Sequence, residues 1–144
     1  MSLCAVLACL HFLGVKNPLS ELQMVLATWL IGMVTDTILQ WVGVIQFKGA
    51  ALGNLSPYWL WVVWIMFAMT LNVSMAFLQR QSTWVCALLG AVFGPLSYYG
   101  GAQVGAATGA NMPIQLLLIG FEWMLVLPLL VKLASRLNSA STHL

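Results

Sequence analysis

Residues 22–44 run through the whole of one helix length with a single charged side chain, Asp36. Residues 57–79 and 83–105 are as long and carry no charge, and 113–134 carries only Glu122 and Lys132. A helix rises about 1.5 Å per residue, so twenty or so apolar residues match the roughly 30 Å hydrocarbon core of a bilayer. Nothing else in the chain constrains the fold as strongly. Only 6% of the 144 residues are charged, against about 25% in a soluble domain. With 62% hydrophobic residues, a soluble chain of this length would lack the polar surface to cover its core. The expected fold is all-α: a polytopic transmembrane bundle of about five helices, one domain over residues 1–144.

The first segment, residues 2–15, is the exception. Fourteen residues span only about 21 Å, and Lys16-Asn17-Pro18 closes the run. A cleaved signal peptide would need a positive leading region, and the residues before the apolar run carry none. The expectation is a short helix, or a chain that begins inside a longer parent segment. Asn17-Pro18-Leu19-Ser20-Glu21 reads as the next helix start, with Ser20 as cap and Glu21 favouring the helix N-terminus. Pro57 opens the third segment, followed by Tyr58, Trp59 and Trp61 as an interfacial aromatic belt. Ser82 caps the fourth. With the N-terminus outside, Lys16, Arg80, Lys132 and Arg136 fall on the cytoplasmic side and Lys48 alone outside. That distribution obeys the positive-inside rule and predicts an outside N-terminus and a cytoplasmic C-terminus.

Several function classes drop out. Net charge is +2, and the basic residues are scattered singly, so no stripe or groove exists for nucleic acid. His11 and His143 are the only histidines, and Cys4, Cys9 and Cys86 have no metal-ligand spacing. No metal and no cofactor is expected. The bilayer is the expected partner. A homo-oligomer enters only through the transport reading, because one copy is small for that task.

What chemistry there is must come from polar groups inside the apolar segments. A charged residue near the bilayer centre costs about 2.5–3.5 kcal/mol on insertion scales. Gly32, Asp36, Gln40 and Gly43 share one helical stripe, so Asp36 faces protein. It is either a proton, cation or polar-substrate contact, or a packing residue held by hydrogen bonds. Glu122 is the second acid, at similar depth in the fifth segment, and no Lys or Arg lies deep enough to pair with either. Asn72 shares a face with Ala68 and Ala76, which suits a hydrogen bond across a close helix contact. In the fourth segment Ser97, Gly101 and Gly105 form one small-residue ladder, and Gly90, Gly94 and Tyr98 a second. Pro95 interrupts both and predicts a kink. Such a helix is a packing seam first and a cavity wall second.

These residues also carry a resemblance. Glu21 precedes an apolar run; Gly32-x-x-x-Asp36 leads into Gly43-Val44 and Phe47; Pro57-x-Trp59 follows. Then come Trp64-x-x-Phe67-Ala68-x-Thr70-Leu71-Asn72-x-Ser74, Leu89-Gly90-Ala91 and Gly94-Pro95-Leu96-Ser97-Tyr98. Gly101, Gly105-Ala106 and Glu122-Trp123 complete the set. The chain resembles the small bacterial inner-membrane proteins grouped as domain of unknown function 2878, over roughly residues 10–134. The resemblance implies a further helix before the His11 segment, absent here, and implies no particular activity.

The expectation is therefore an accessory membrane protein that binds a small molecule or lipid between helices, lined by Asp36, Gln40, Asn72, Ser97, Tyr98 and Glu122. Gly32, Gly43, Gly90, Gly94, Pro95, Gly101 and Gly105 serve packing. The alternatives are a small proton-coupled transporter and a membrane enzyme of lipid modification. The latter has no recognisable nucleophile and base pair in the sequence.

Overall fold

A computed structural model describes residues 2–15, 17–109 and 112–141. Lys16 and His143 fall outside them. The protein is an all-α bundle. Helix α1 is Ser2–Gly14 and α2 is Pro18–Trp41; a short strand β1, Ile45–Phe47, leads to α3, Tyr58–Leu71. A 3-10 helix, Ala76–Arg80, precedes α4, Thr83–Gln103; strand β2, Ala107–Gly109, precedes α5, Pro113–Ser141. Three helices are long and apolar enough to cross a membrane: Pro18–Trp41, Thr83–Gln103 and Pro113–Ser139.

Local chemistry sets the ends of these elements. Asn17, not Ser20, caps α2: its Oδ1 accepts the Ser20 amide at 3.3 Å, and Pro18 fills the first turn. Ser20 is buried one turn inside. Ser82 caps α4 by accepting the Val85 amide at 3.3 Å. The exits of α2 and α4 are built alike. After α2, Gly43 has φ +76°, its amide reaches Gln40 O (3.2 Å), and the Val44 amide reaches Leu39 O (3.0 Å). After α4, Gly105 has φ +83°, its amide reaches Ala102 O (3.0 Å), and the Ala106 amide reaches Gly101 O (2.9 Å). Both are left-handed glycine caps that satisfy the last helix carbonyls and turn the chain out. Each delivers the chain into a strand. β1 and β2 pair antiparallel, Gln46 opposite Thr108, a ribbon the helical pattern did not announce.

The third segment departs from expectation. The sequence predicts a continuous segment over 57–79, but α3 ends at Leu71 with Asn72 as its C-cap. The sequence there is Thr70, Asn72, Val73 and Ser74, side chains that compete with the backbone or crowd it. Thr70 Oγ1 turns back to Phe67 O at 2.7 Å. The Ala68–Asn72–Ala76 face therefore does not exist as one helical stripe. Helix α5 instead continues past 134 to Ser141.

Packing follows the hairpins. α2 lies on α3, α4 lies most extensively on α5, and α5 bridges back to α2. The core joins Met24, Trp64, Leu71, Leu78, Leu127 and Leu130. α1 rests on the outside, with Ala8 and Phe12 against Val25, Ala68 and Met69. α3 and α4 barely touch, and the gap between them is the feature on which the rest depends.

Candidate functional site

Asp36 is the centre of the site, fully buried on α2. Trp64 on α3 donates its indole Nε1 to Asp36 Oδ2 at 2.5 Å, and Tyr98 on α4 donates its hydroxyl to Asp36 Oδ1. One carboxyl thus ties three helices together. A carboxylate can accept on both oxygens, whereas indole and phenol each have a proton to place. In an apolar interior an unplaced proton is costly.

Two glycines make the arrangement possible. A Cβ on Gly32 would stand 1.9 Å from Trp64 Cδ2, and one on Gly94 would stand 2.3 Å from Trp123 Cγ. Each indole therefore lies directly on the backbone of the helix before it. The two rings then stack on each other, centroids 5.2 Å apart and planes 9° from parallel. Phe67 and Tyr98 meet Trp123 edge-on. The hairpins α2–α3 and α4–α5 repeat one plan: a glycine seating a tryptophan, one turn later the Asp36 or Tyr98 of the hydrogen bond, then a glycine cap and a strand. Gly32 and Gly94, Asp36 and Tyr98, Gly43 and Gly105, and the paired Gln46 and Thr108 are all equally far apart in the chain.

Beside the indole pair lies a groove of about 520 Å³ between α3 and α4. It runs from Met75 and Leu78, past Phe67, Trp64 and Trp123, to Phe47 on β1. Its walls are almost wholly apolar, and Tyr98 and Ser97 are its polar edge. The Ser97 hydroxyl is spent on Phe93 O at 2.8 Å.

The expected residues thus separate. Asp36 and Tyr98 are joined, and Ser97 is near them on the groove wall. Tyr99 points elsewhere and is exposed. Glu122 precedes the stacked Trp123; both its carboxyl oxygens are buried without a hydrogen-bond partner among the described residues. Thr35 gives its own hydroxyl proton to Gly32 O at 3.2 Å. The Oε1 of Gln40 is likewise buried and unpartnered. Asn72 is not with them. Its Nδ2 donates to Glu21 Oε2 at 2.8 Å, and its Oδ1 accepts from Gln79 (3.0 Å) and Asn138 (3.0 Å). Glu21 Oε1 in turn meets His11 Nε2 at 2.7 Å. The expected packing glycines divide too. Gly32, Gly90 and Gly94 are close contacts, whereas a Cβ at Gly43, Gly101 or Gly105 would meet nothing within 4 Å. Gly43 and Gly105 serve the helix exits, and Gly101 faces the groove. α4 runs through Pro95 as one element. The carbonyl that Pro95 cannot bond, Ala91 O, lies against Gly120, where a Cβ would come within 3.0 Å.

Sequence reasoning missed Trp64 and the Glu21 cluster. Signals for both were present. Trp64 lies in mid-segment, away from an interface, where an indole N–H needs an acceptor. The buried stripe of α2 continues from Asp36 and Gly32 back through Thr28 and Val25 to Glu21 at helical spacing.

The family model described as "Protein of unknown function (DUF2878)" matches residues 1–129. No curated protein and no solved structure matches the chain. The chain belongs to the DUF2878 family.

Proposed function

We propose that this DUF2878 member is a multi-pass protein of a bacterial inner membrane that holds one elongated apolar molecule, such as a lipid chain, between α3 and α4. The N-terminus lies outside and the C-terminus in the cytoplasm. The observation that carries the reading is the groove of about 520 Å³. It falls within the usual range of ligand sites, and like them it is apolar with few polar groups. Its floor is rigid, because the stacked indoles are fixed by Gly32, Gly94 and the Asp36 hydrogen bonds. A preorganised floor reduces the ordering cost of binding. Binding without reaction fits a wall whose hydroxyls are already committed, that of Tyr98 to Asp36 and that of Ser97 to Phe93 O.

Gly101 supplies the test. It lines the groove, and a side chain there meets open space. Gly101→Phe should fill the groove and leave the fold intact. Native mass spectrometry of the protein from membranes should find an apolar adduct on the wild type and little on Gly101→Phe, with equal helicity. Equal adducts on both, or none on either, would refute the reading.

One observation favours a second reading, a small proton-coupled carrier. Among the described residues, Glu122 keeps two buried carboxyl oxygens without hydrogen-bond partners, on a helix packed against α2. That reading requires proton-dependent flux in liposomes to vanish in Glu122→Gln and Asp36→Asn while the protein still folds. Undiminished flux removes both acids from such a role.

A further inference from the structure

A second cavity, of about 340 Å³, lies at the opposite end from the β ribbon. It is formed where the 3-10 helix ends, α4 begins and α5 makes its last turns. Its rim is polar: Gln79, Gln81, Thr83, Ser135, Lys132 and Arg136. Its floor is apolar, with Val131 and Cys86. Lys132 and Arg136 are one turn apart on α5, so both reach one spot.

Their charge is not met within the chain by a carboxyl side chain. The sequence contains three acids. Glu21 holds His11 and Asn72. Asp36 holds Trp64 and Tyr98, and Glu122 lies beside Trp123 in the middle of α5. At the same end, α4 begins with Ser82 accepting the Val85 amide, and the positive end of the helix dipole favours an anion. Two cations, the hydroxyls of Thr83 and Ser135 and an apolar floor suit a phosphate that carries an apolar group. Charged rims over apolar floors at the end of spanning helices bind anionic lipid headgroups by this chemistry.

We propose that this cavity binds the phosphate of an anionic phospholipid headgroup, held by Lys132 and Arg136. The site is separate from the α3/α4 groove and does not depend on what that groove holds.

The test uses the full chain in detergent, with native mass spectrometry after addition of phosphatidylglycerol or phosphatidylcholine. Phosphatidylglycerol should be retained on the order of tenfold better. The double variant Lys132→Gln/Arg136→Gln should lose that preference, while Lys48→Gln, in the loop after β1, should keep it. Equal retention of the two lipids by the wild type overturns the proposal. So does an unchanged preference in the folded double variant. Stabilisation by millimolar inorganic phosphate equal to that by phosphatidylglycerol would mean that a soluble phosphate is the ligand, and would overturn the lipid assignment.

Discussion

Trp64 gives its indole N–H to Asp36, 28 residues away in the chain. The pair places an acid and an indole at the centre of a largely apolar bundle. Each supplies what the other needs, and Tyr98 takes the second oxygen. An acid so placed is best described as a clamp on three helices.

The clamp makes a graded prediction. Asp36→Ala strands the Trp64 indole and the Tyr98 hydroxyl together. Each stranded donor costs about 1–3 kcal/mol. Asp36→Asn keeps an acceptor oxygen for one of them. Thermal unfolding in detergent should therefore rank wild type above Asp36→Asn and Asp36→Ala lowest. Trp64→Phe should fall between wild type and Asp36→Ala, since it keeps a stacked ring but removes a donor. Equal midpoints for Asp36→Ala and wild type would show that the clamp contributes nothing.

Glycine replacements separate close contact from mere smallness. Gly32→Ala and Gly94→Ala drive a methyl into an indole held on both faces. Overpacking of this kind costs about 1–3 kcal/mol. Gly101→Ala meets nothing within 4 Å, and alanine is the better helix former by about 1 kcal/mol. Gly101→Ala should leave stability unchanged or raise it. The three midpoints, measured side by side, check the distinction, and a loss for Gly101→Ala as large as for Gly32→Ala would contradict it.

These three glycines also show what the sequence could and could not disclose. Each recurs at helical spacing with other small or polar residues, and periodicity alone gives them one meaning. The bundle, its short first helix and the inward aspect of Asp36 follow from hydrophobic runs and helical spacing, which are local properties. The partner of Asp36 is not local. Trp64 and Tyr98 come from other helices, and which ring fills the space over Gly32 depends on how α3 is set against α2. The break after Leu71 is a competition between a continuous apolar span and four poor helix formers, Thr70, Asn72, Val73 and Ser74. The Glu21 cluster explains the outcome. Asn72 gains three hydrogen bonds to side chains by leaving the helix, and Gln79 also satisfies the Leu71 carbonyl at 3.2 Å. The β ribbon was hidden for a related reason: three-residue strands leave no periodicity to read.

The two helix exits make the third prediction. Gly43 and Gly105 hold φ +76° and +83°, where a Cβ meets its own backbone at a cost of roughly 1–2 kcal/mol. Asparagine tolerates this region better than alanine. Gly43→Ala and Gly105→Ala should each destabilise, and Gly43→Asn should recover part of the loss. Because both caps aim strands into one ribbon, amide exchange at Ile45–Phe47 should rise in Gly105→Ala as well as in Gly43→Ala. Exchange confined to the mutated hairpin would show that the two ends are uncoupled.

The last prediction concerns the attachment of α1. Among the described residues this helix is tied down by a hydrogen bond, His11 to Glu21 at 2.7 Å, and by a small apolar contact through Ala8 and Phe12. Glu21 is almost fully buried, at 3% exposure, and it also receives the Asn72 amide. The tether and the break in α3 therefore share one carboxylate. His11→Ala removes only the tether, and Asn72 still occupies the other oxygen. Amide exchange should then speed up across Ser2–Gly14 while α4 and α5 stay protected. Glu21→Ala removes the shared partner, so exchange should rise in α1 and around Asn72 together, with a larger loss of thermal stability. If His11→Ala left α1 as protected as in the wild type, the apolar contact alone would be holding it. A matching stability loss in the two variants would mean that Asn72 does not need the carboxylate to end α3.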